Sequence, residues 1–316
     1  MPVSRTGKVI RVRPRQVTVD LGEECVKAFL RGSLKQGPRV STHLVAVGDE
    51  VRVTGSGSEI VIEEVLPRRN KISRVDPASS KRDIEHVLAA NLDWLIVVVS
   101  LAEPRLNFRG LDRLLLLGDH NDVPTWILLN KNDIAEPYDP SPEEIYGKLG
   151  YPILRTSAMT GEGIEDLRAG IQSKISVVIG PSGVGKSAIL NTLLPGRELP
   201  TQTVSAVTGK GRHTTTRVEW LALPGGGAIL DSPGIRSIQP FGLDRETLAD
   251  GFREFEDASA ECRFRDCRHR DEPDCGIKKW VELGRIEPQR YDSYLRILVE
   301  VDKPDWWRRA MELGSI

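Results

Sequence analysis

Two groups of residues in this chain have types and spacings suited to chemistry. The first is Ile175-Ser-Val-Val-Ile-Gly-Pro-Ser-Gly-Val-Gly-Lys-Ser187, a β-branched run followed by a glycine-rich turn. Gly180, four intervening residues, then Gly185-Lys186-Ser187 is the spacing of a phosphate-binding loop. Glycines let successive backbone N–H groups curl around an anion, and a helix starting near Lys186 points its positive end at the same place. On this reading Gly180, Pro181, Ser182, Gly183, Val184, Gly185 and Ala188 line the phosphates. Lys186 reaches the β- and γ-phosphates, and the Ser187 hydroxyl ligates Mg²⁺. The expected ligand is a nucleoside triphosphate.

The second group is Cys262, Cys267, His269 and Cys275, all within fourteen residues. Three thiolates and an imidazole make a closed tetrahedral Zn²⁺ set, which suits one structural ion better than a catalytic one. Arg263, Arg265, Arg268 and Arg270 lie between these ligands, where an ordered loop would hold them outward for phosphate contacts on RNA. Residues 241–316 are net acidic, so any such footprint is local.

Both groups need elements to position them. Residues 1–66 alternate apolar and polar in five short runs: Lys8–Val12, Gln16–Asp20, Cys25–Arg31, Asp49–Val53 and Glu59–Leu66. That pattern predicts a small closed β-barrel of OB-fold type. Such barrels often bind RNA, yet Phe29 is almost the only aromatic available for stacking, so an RNA-contacting barrel and a spacer are both open. Cys25 stands apart from the other cysteines and is expected in the core. Residues 67–90, polar and holding Pro67 and Pro77, read as a linker into a segment that packs on the next domain.

Strands and helices then alternate: strand 94–99, helix 110–119, strand 125–129, helix 141–149, strand 152–155, helix 163–173, strand 175–179 and a helix to about 194. This predicts a parallel sheet covered on both faces. Strands 217–223 and 227–230 flank a Pro224-Gly-Gly-Gly227 hairpin turn. From about Phe241 the pattern is helical, interrupted by the cysteine-rich loop. The expected domains are 1–66, 67–240 and 241–316.

Composition sets broad limits. The chain has 316 residues and a net charge of −1, although residues 1–40 carry nine Lys/Arg against three Asp/Glu. The basic start fits a solvated surface or a nucleic-acid contact. No apolar run approaches membrane-spanning length and residues 1–20 hold no signal-peptide core, so a cytoplasmic protein with no membrane partner is expected.

The nucleotide's base is read elsewhere. Asn130-Lys131-Asn132-Asp133 closes strand 125–129 and resembles the guanine-reading Asn-Lys-x-Asp motif of Ras-like GTPases. The resemblance implies that Asp133 accepts from the guanine ring N–H and amino group, Asn130 buttresses the loop, and the Lys131 stem lies over the base. Thr156-Ser157-Ala158 is similar to that family's Ser-Ala loop, which meets guanine O6 with a backbone N–H. Asp231-Ser-Pro-Gly234 resembles Asp-x-x-Gly, which holds Mg²⁺ through water and contacts the γ-phosphate. Gly211-Arg-His-Thr-Thr-Thr216 takes the place of the first switch, with Thr215 closing over Mg²⁺.

The order is unusual, because the base-reading motifs precede the phosphate-binding loop. Helix 163–173 runs almost directly into strand 175–179, joining what are normally the two ends of the domain. With this order the chain closely resembles the circularly permuted RsgA (YjeQ) GTPase family over nearly its whole length. The resemblance implies a multidomain protein: an OB-fold β-barrel, an α/β P-loop GTPase domain of permuted motif order, and a C-terminal α-helical zinc-binding domain. It implies a monomeric, Mg²⁺-dependent GTPase that binds the 30S ribosomal subunit and its rRNA late in maturation, with turnover of GTP to GDP stimulated by the subunit. Ras-like proteins orient the attacking water with a glutamine just after Asp-x-x-Gly, whereas Ile235 stands there here. His213 is the internal candidate for that role, with Lys186 and Thr215 steadying the reacting phosphate. His213 ordering the loop, or rRNA positioning the water, stays open. The other functional class is a GTP-regulated RNA-binding scaffold with negligible hydrolysis.

Overall fold

The computed structural model describes residues 4–14, 16–32, 44–57, 59–75, 84–194, 196, 218–231 and 240–302. Five strands open the chain: β1 (Arg5–Arg13), β2 (Gln16–Asp20), β3 (Cys25–Leu30), β4 (Glu50–Thr54) and β5 (Ile60–Val65). They close into a barrel in the order β1-β2-β3-β5-β4, with β1 pairing β4 and β3 running parallel to β5. This is the five-stranded OB-type closure that the alternating runs predict. Val17, Val19, Val26, Ala28, Val51, Val53, Ile60 and Ile62 fill its interior. Cys25 is a correction. It is exposed, because Val26 and Ala28 take the interior positions of β3 and the period of two turns Cys25, Lys27 and Phe29 outward.

Residues 67–75 and 84–90, where a linker and a packing segment are expected, contain regular structure. They hold β6 (Lys71–Val75) and β7 (Glu85–Ala90), an antiparallel ribbon whose Ile72, Leu88 and Ala89 join the core of the next sheet. β7 buries five of its six residues, Glu85 among them, so it lacks the alternation that marks a half-buried strand.

The central sheet has six strands: β8 (Trp94–Ser100), β9 (Thr125–Asn130), β10 (Ile153–Arg155), β11 (Ile175–Ile179), β12 (Glu219–Ala222) and β13 (Ala228–Asp231). Their order is β10-β9-β8-β11-β13-β12, parallel throughout except for the β12–β13 hairpin. The helices are α1 (Phe108–His120), α2 (Pro142–Tyr146), α3 (Ile164–Ile171) and α4 (Lys186–Leu193). Both faces are covered, which explains the unbroken apolar run of β8. Leu95, Val97 and Val99 pack with Leu111, Leu115 and Tyr146 on one side. Ile96 and Val98 pack with Ile164, Leu167, Ile189 and Leu193 on the other. A Ser141–Glu144 capping box starts α2. The helix ends at Tyr146, short of Leu149, because tighter turn bonds take over (Leu149 N to Tyr146 O, 3.1 Å) and Gly150 has φ +77°.

The permuted join is short. Three residues separate α3 from β11, and the hairpin turn staples them: Ser173 N donates to Gly226 O (3.1 Å) and Ala228 N to Lys174 O (2.8 Å). Gly227 has φ +82°, and a Cβ there would lie 2.6 Å from Lys174 N, so only glycine fits this approach.

Beyond the sheet come α5 (Phe255–Ser259), α6 (Gly276–Glu282) and α7 (Pro288–Val301). Phe252, Phe255, Ile277, Tyr294, Ile297 and Leu298 form their core together with Leu116 of α1, so this segment packs directly on the sheet's helix layer. Among the described residues no helix is long and apolar enough to cross a membrane.

Candidate nucleotide site and metal centre

The Asn-Lys-x-Asp loop and the glycine-rich loop meet at the C-terminal ends of β9, β10 and β11, where ligands sit on an open parallel sheet. Asn130 joins them. Its buried side chain donates from Nδ2 to Val184 O (2.7 Å) and accepts at Oδ1 from Thr156 Oγ1 (3.2 Å), while its carbonyl accepts from Leu101 N (2.9 Å). Gly185 has φ +96°, and a Cβ there would come within 2.2 Å of the Asn130 amide. The glycine thus serves the approach of Asn130 as much as it serves an anion.

Gly185 caps α4 in the left-handed conformation without a side-chain cap, so the first N–H groups of the helix face the loop. Lys186 Nζ donates to Gly180 O (2.8 Å) and to Pro181 O, which places the ammonium over the loop mouth. Ser187 is half-buried one residue inside α4, and Ala188 follows it. Pro181 and Ser182 are exposed at the loop's crest, with Gly183 partly buried and Val184 buried beneath.

On the base side, Lys131 is left-handed (φ +64°) and its Nζ donates to Glu103 O. Asp133 Oδ1 accepts from Ser157 Oγ at 2.6 Å, and Ser157 Oγ also accepts from Thr160 N (3.1 Å). Ala158 follows, partly buried. Asp231 ends β13 next to the phosphate-loop strand, partly buried. The structure therefore brings Asn130, Lys131, Asp133, Ser157, Ala158, Asp231 and residues 180–188 to one end of the sheet. His213, Thr215 and Gly234 lie outside the described residues.

The cysteine-rich loop joins α5 to α6. The ligand atoms of Cys262, Cys267, His269 and Cys275 all lie within 4.8 Å of one another. His269 Nδ1 is 3.5 Å from the sulfurs of Cys262 and Cys275, which are 4.0 Å apart. A tetrahedral site with metal–sulfur bonds near 2.3 Å and metal–nitrogen near 2.0 Å has edges of about 3.8 and about 3.5 Å, so this group could hold a metal ion. Burial holds the His269 imidazolium form down, which leaves the neutral ring a ligand needs. Burial also pushes the Cys267 thiol up to about 12 and raises that of Cys275, a cost that a bound cation reverses.

The supports around this loop are not visible in the motif. Gly276 N points at Cys262 Sγ (3.3 Å), and Tyr291 OH and Tyr294 OH on α7 donate to the carbonyls of His269 (2.7 Å) and Arg268 (2.8 Å). The Glu272 carboxylate accepts from Arg268 N and Arg270 N, both 2.9 Å. Burial opposes its charge, but these N–H groups hold its pKa at about 2. Arg263, Arg265, Arg268 and Arg270 are all exposed, as an outward-facing set requires. Sequence reasoning also missed three residues beside the Asn-Lys-x-Asp loop: Asn132, the motif's variable position, and Arg155 and Glu162, which belong to no motif.

The RsgA GTPase family model matches residues 65–241. A curated relative from Thermotoga petrophila, named small ribosomal subunit biogenesis GTPase RsgA, is 38% identical over 311 residues, covering 95% of this chain and 98% of its own. One of the same name from Azotobacter vinelandii is 38% identical over 275 residues, 85% of this chain and 78% of its own. The crystal structure of YjeQ from Thermotoga maritima superposes with a TM-score of 0.77 at 34% identity, covering 96% of this chain and all of that one. YloQ, described as a circularly permuted GTPase, gives 0.72 at 27% identity, over 96% and 97% of the two chains. With the permuted sheet order and the assembled loops, these likenesses place the chain in the RsgA GTPase family.

Proposed function

We propose that this GTPase binds the small (30S) ribosomal subunit and assists its late maturation, hydrolysing GTP to GDP and phosphate faster when the subunit is bound. The observation that carries the nucleotide half is the Asn130 side chain, which ties the base-reading loop to the phosphate loop at 2.7 Å and so makes them one site. The subunit comes from the name shared by the curated relatives. In this reading Asn130, Lys131, Asp133, Ser157 and Ala158 bind guanine, and Gly180, Pro181, Ser182, Gly183, Val184, Gly185, Lys186, Ser187 and Ala188 bind the phosphates. Ser187 and Thr215 ligate Mg²⁺, with Asp231 and Gly234 at the γ-phosphate. Cys262, Cys267, His269 and Cys275 hold one structural Zn²⁺, and the arginines between them meet rRNA phosphates. The chain works as a cytoplasmic monomer of three domains, 1–66, 67–240 and 241–316.

Phosphate release with and without purified small subunits tests the reading. Stimulated release supports it, and no release in either condition leaves the GTP-regulated scaffold. Base choice gives a second test. Asp133→Asn should weaken GTP by roughly tenfold or more, since a hydrogen bond to a charged acceptor contributes about 1.5–3 kcal/mol. Equal competition by ATP and GTP against the unmutated protein would remove the guanine assignment.

For the chemical step we assign the orientation of the attacking water to His213, because Ile235 can neither orient nor polarise it. His213→Ala should keep GTP affinity within a few-fold and raise the barrier of stimulated hydrolysis by about 2–4 kcal/mol. Full stimulated turnover in that variant would transfer the role to the ribosomal RNA.

A further inference from the structure

We infer that Asn132 and Glu162 are positioning residues for guanine discrimination, fixing the loop that carries Asp133 to the loop that carries Ser157. The inference rests on Asp133 being the base reader. Asn132 is the variable position of Asn-Lys-x-Asp, to which the motif assigns no role. Its side chain engages both ends of its amide within the protein: Nδ2 donates to Glu162 Oε1 (2.7 Å) and Oδ1 accepts from Arg155 Nη1 (3.0 Å). Arg155 is in turn held by Glu143 Oε1 at the start of α2 (2.5 Å).

The backbone follows the same path. Asn132 N donates to Thr156 O (3.1 Å) and Ser157 N donates to Glu162 O (3.0 Å), so Glu162 grips one loop by its side chain and the other by its carbonyl. Within this frame Ser157 Oγ meets Asp133 Oδ1 at 2.6 Å, and the carboxylate keeps acceptor capacity for further donors. Glu162 is exposed, and exposed polar pairs add little to global stability. Their consequence is therefore local: they set where the Asp133 carboxylate stands. A carboxylate that reads two adjacent donors tolerates little displacement before one of the two bonds is lost.

The test compares guanosine with inosine triphosphate on the full chain, because inosine lacks only the exocyclic amino group. In Asn132→Ala and Glu162→Ala the preference for guanosine over inosine should fall about three- to tenfold, with the inosine Kd changed by less than about twofold. Glu162→Gln keeps an acceptor for Asn132 and should retain the preference. Equal weakening of both nucleotides, or an unchanged preference, would overturn the inference and leave the base reading intact. An unmutated chain that binds the two nucleotides equally would instead overturn the base reading, and this inference with it.

Discussion

Asp112→Ala is expected to destabilise the unit formed by the GTPase sheet and the C-terminal helices by about 3–5 kcal/mol, the usual consequence of removing one partner from a buried ion pair. Asp112 lies on α1 and is 1% exposed. It accepts from Arg290 Nη1 (2.8 Å), Tyr146 OH (2.7 Å) and Ser293 Oγ. Arg290, on α7 and 2% exposed, also grips both oxygens of Glu254 at 2.6 and 3.0 Å and lies over the Phe252 ring. Burial works against its charge, but Asp112 and Glu254 hold the guanidinium protonated well beyond the usual arginine range. Without Asp112 the cation keeps one carboxylate, and two buried hydroxyls lose their acceptor. Asp112→Asn retains an acceptor and should lose less. By contrast, substituting Glu165, 82% exposed in its pair with Arg168, should change stability by no more than about 0.5 kcal/mol. Urea midpoints measure all three. An Asp112→Ala shift below about 1 kcal/mol would mean that the network orients the helices without stabilising them.

This network also limits how a nucleotide signal could reach the C-terminal helices. A second clamp, Arg253, holds Asp119 of α1 at 2.7 Å and stacks 3.8 Å over Tyr151. Two arginines from the C-terminal segment thus fix it to one helix of the sheet layer. Residues 240 and 241 also meet the β6–β7 ribbon: Arg74 of β6 bridges to Pro240, and Phe241 N donates to Ser73 O (3.3 Å). A free swing of the helical segment would have to break buried charge contacts. Small displacements of α1 and the ribbon as one body would not.

The parts legible in the sequence are those written in short-range pattern. The barrel strands alternate with period two around Val17, Val19, Val26 and Ala28, so their interior faces follow from spacing. The β-branched run Ile175–Ile179 is buried on both faces, and its glycine-rich sequel has to be a loop. The position of Asn130, Asp133 and Ser157 at one end of the sheet was legible because their motifs follow parallel strands, which present their C-terminal ends on the same side. Other features depend on partners distant in the chain. Arg290 and Asp112 are 178 positions apart, and helical periodicity shows an apolar stripe without showing that a charge pair is buried beneath it. Cys25 was misplaced by residue type, when the phase of β3 decides its side. The strands 71–75 and 85–90 were not legible because β7 buries five of its six residues, Glu85 among them, and so shows no period of two. Asn132 and Glu162 act through each other's side chains, a relation that neither position signals alone.

Stripping the proposed zinc with a chelator should have the largest effect of all, since structural zinc contributes about 10–16 kcal/mol of apparent binding free energy to the fold that it organises. The loop that carries the four ligands is poor in apolar residues, and its exposed arginines cannot build a core. The ligands are the exceptions: Cys275 packs with Phe255 and Tyr294, and Cys262 and Cys267 lie against the same cluster, so the metal site and the helical core share a wall. Loss of the ion should release residues 262–275 first and then loosen α5, α6 and α7. Hydrogen exchange should report this as lost protection across 241–302, while guanine nucleotide affinity stays within a few-fold, because the nucleotide loops draw on other strands. The pH dependence follows from the thiols. In the metal-free loop burial keeps Cys267 protonated up to about 12, so binding the ion at neutral pH expels protons, and affinity should rise with pH and fall on acidification. Glu272 does not confuse the measurement. Its folded pKa of about 2 lies below the unfolded carboxylate value, so its support is present above that value and lost only as pH falls towards 2. Metal released at mildly acid pH, with the nucleotide site intact, is the expected result. A chelated chain with unchanged protection across α5–α7 would show that the helices stand on their own core and that the cysteines serve another purpose.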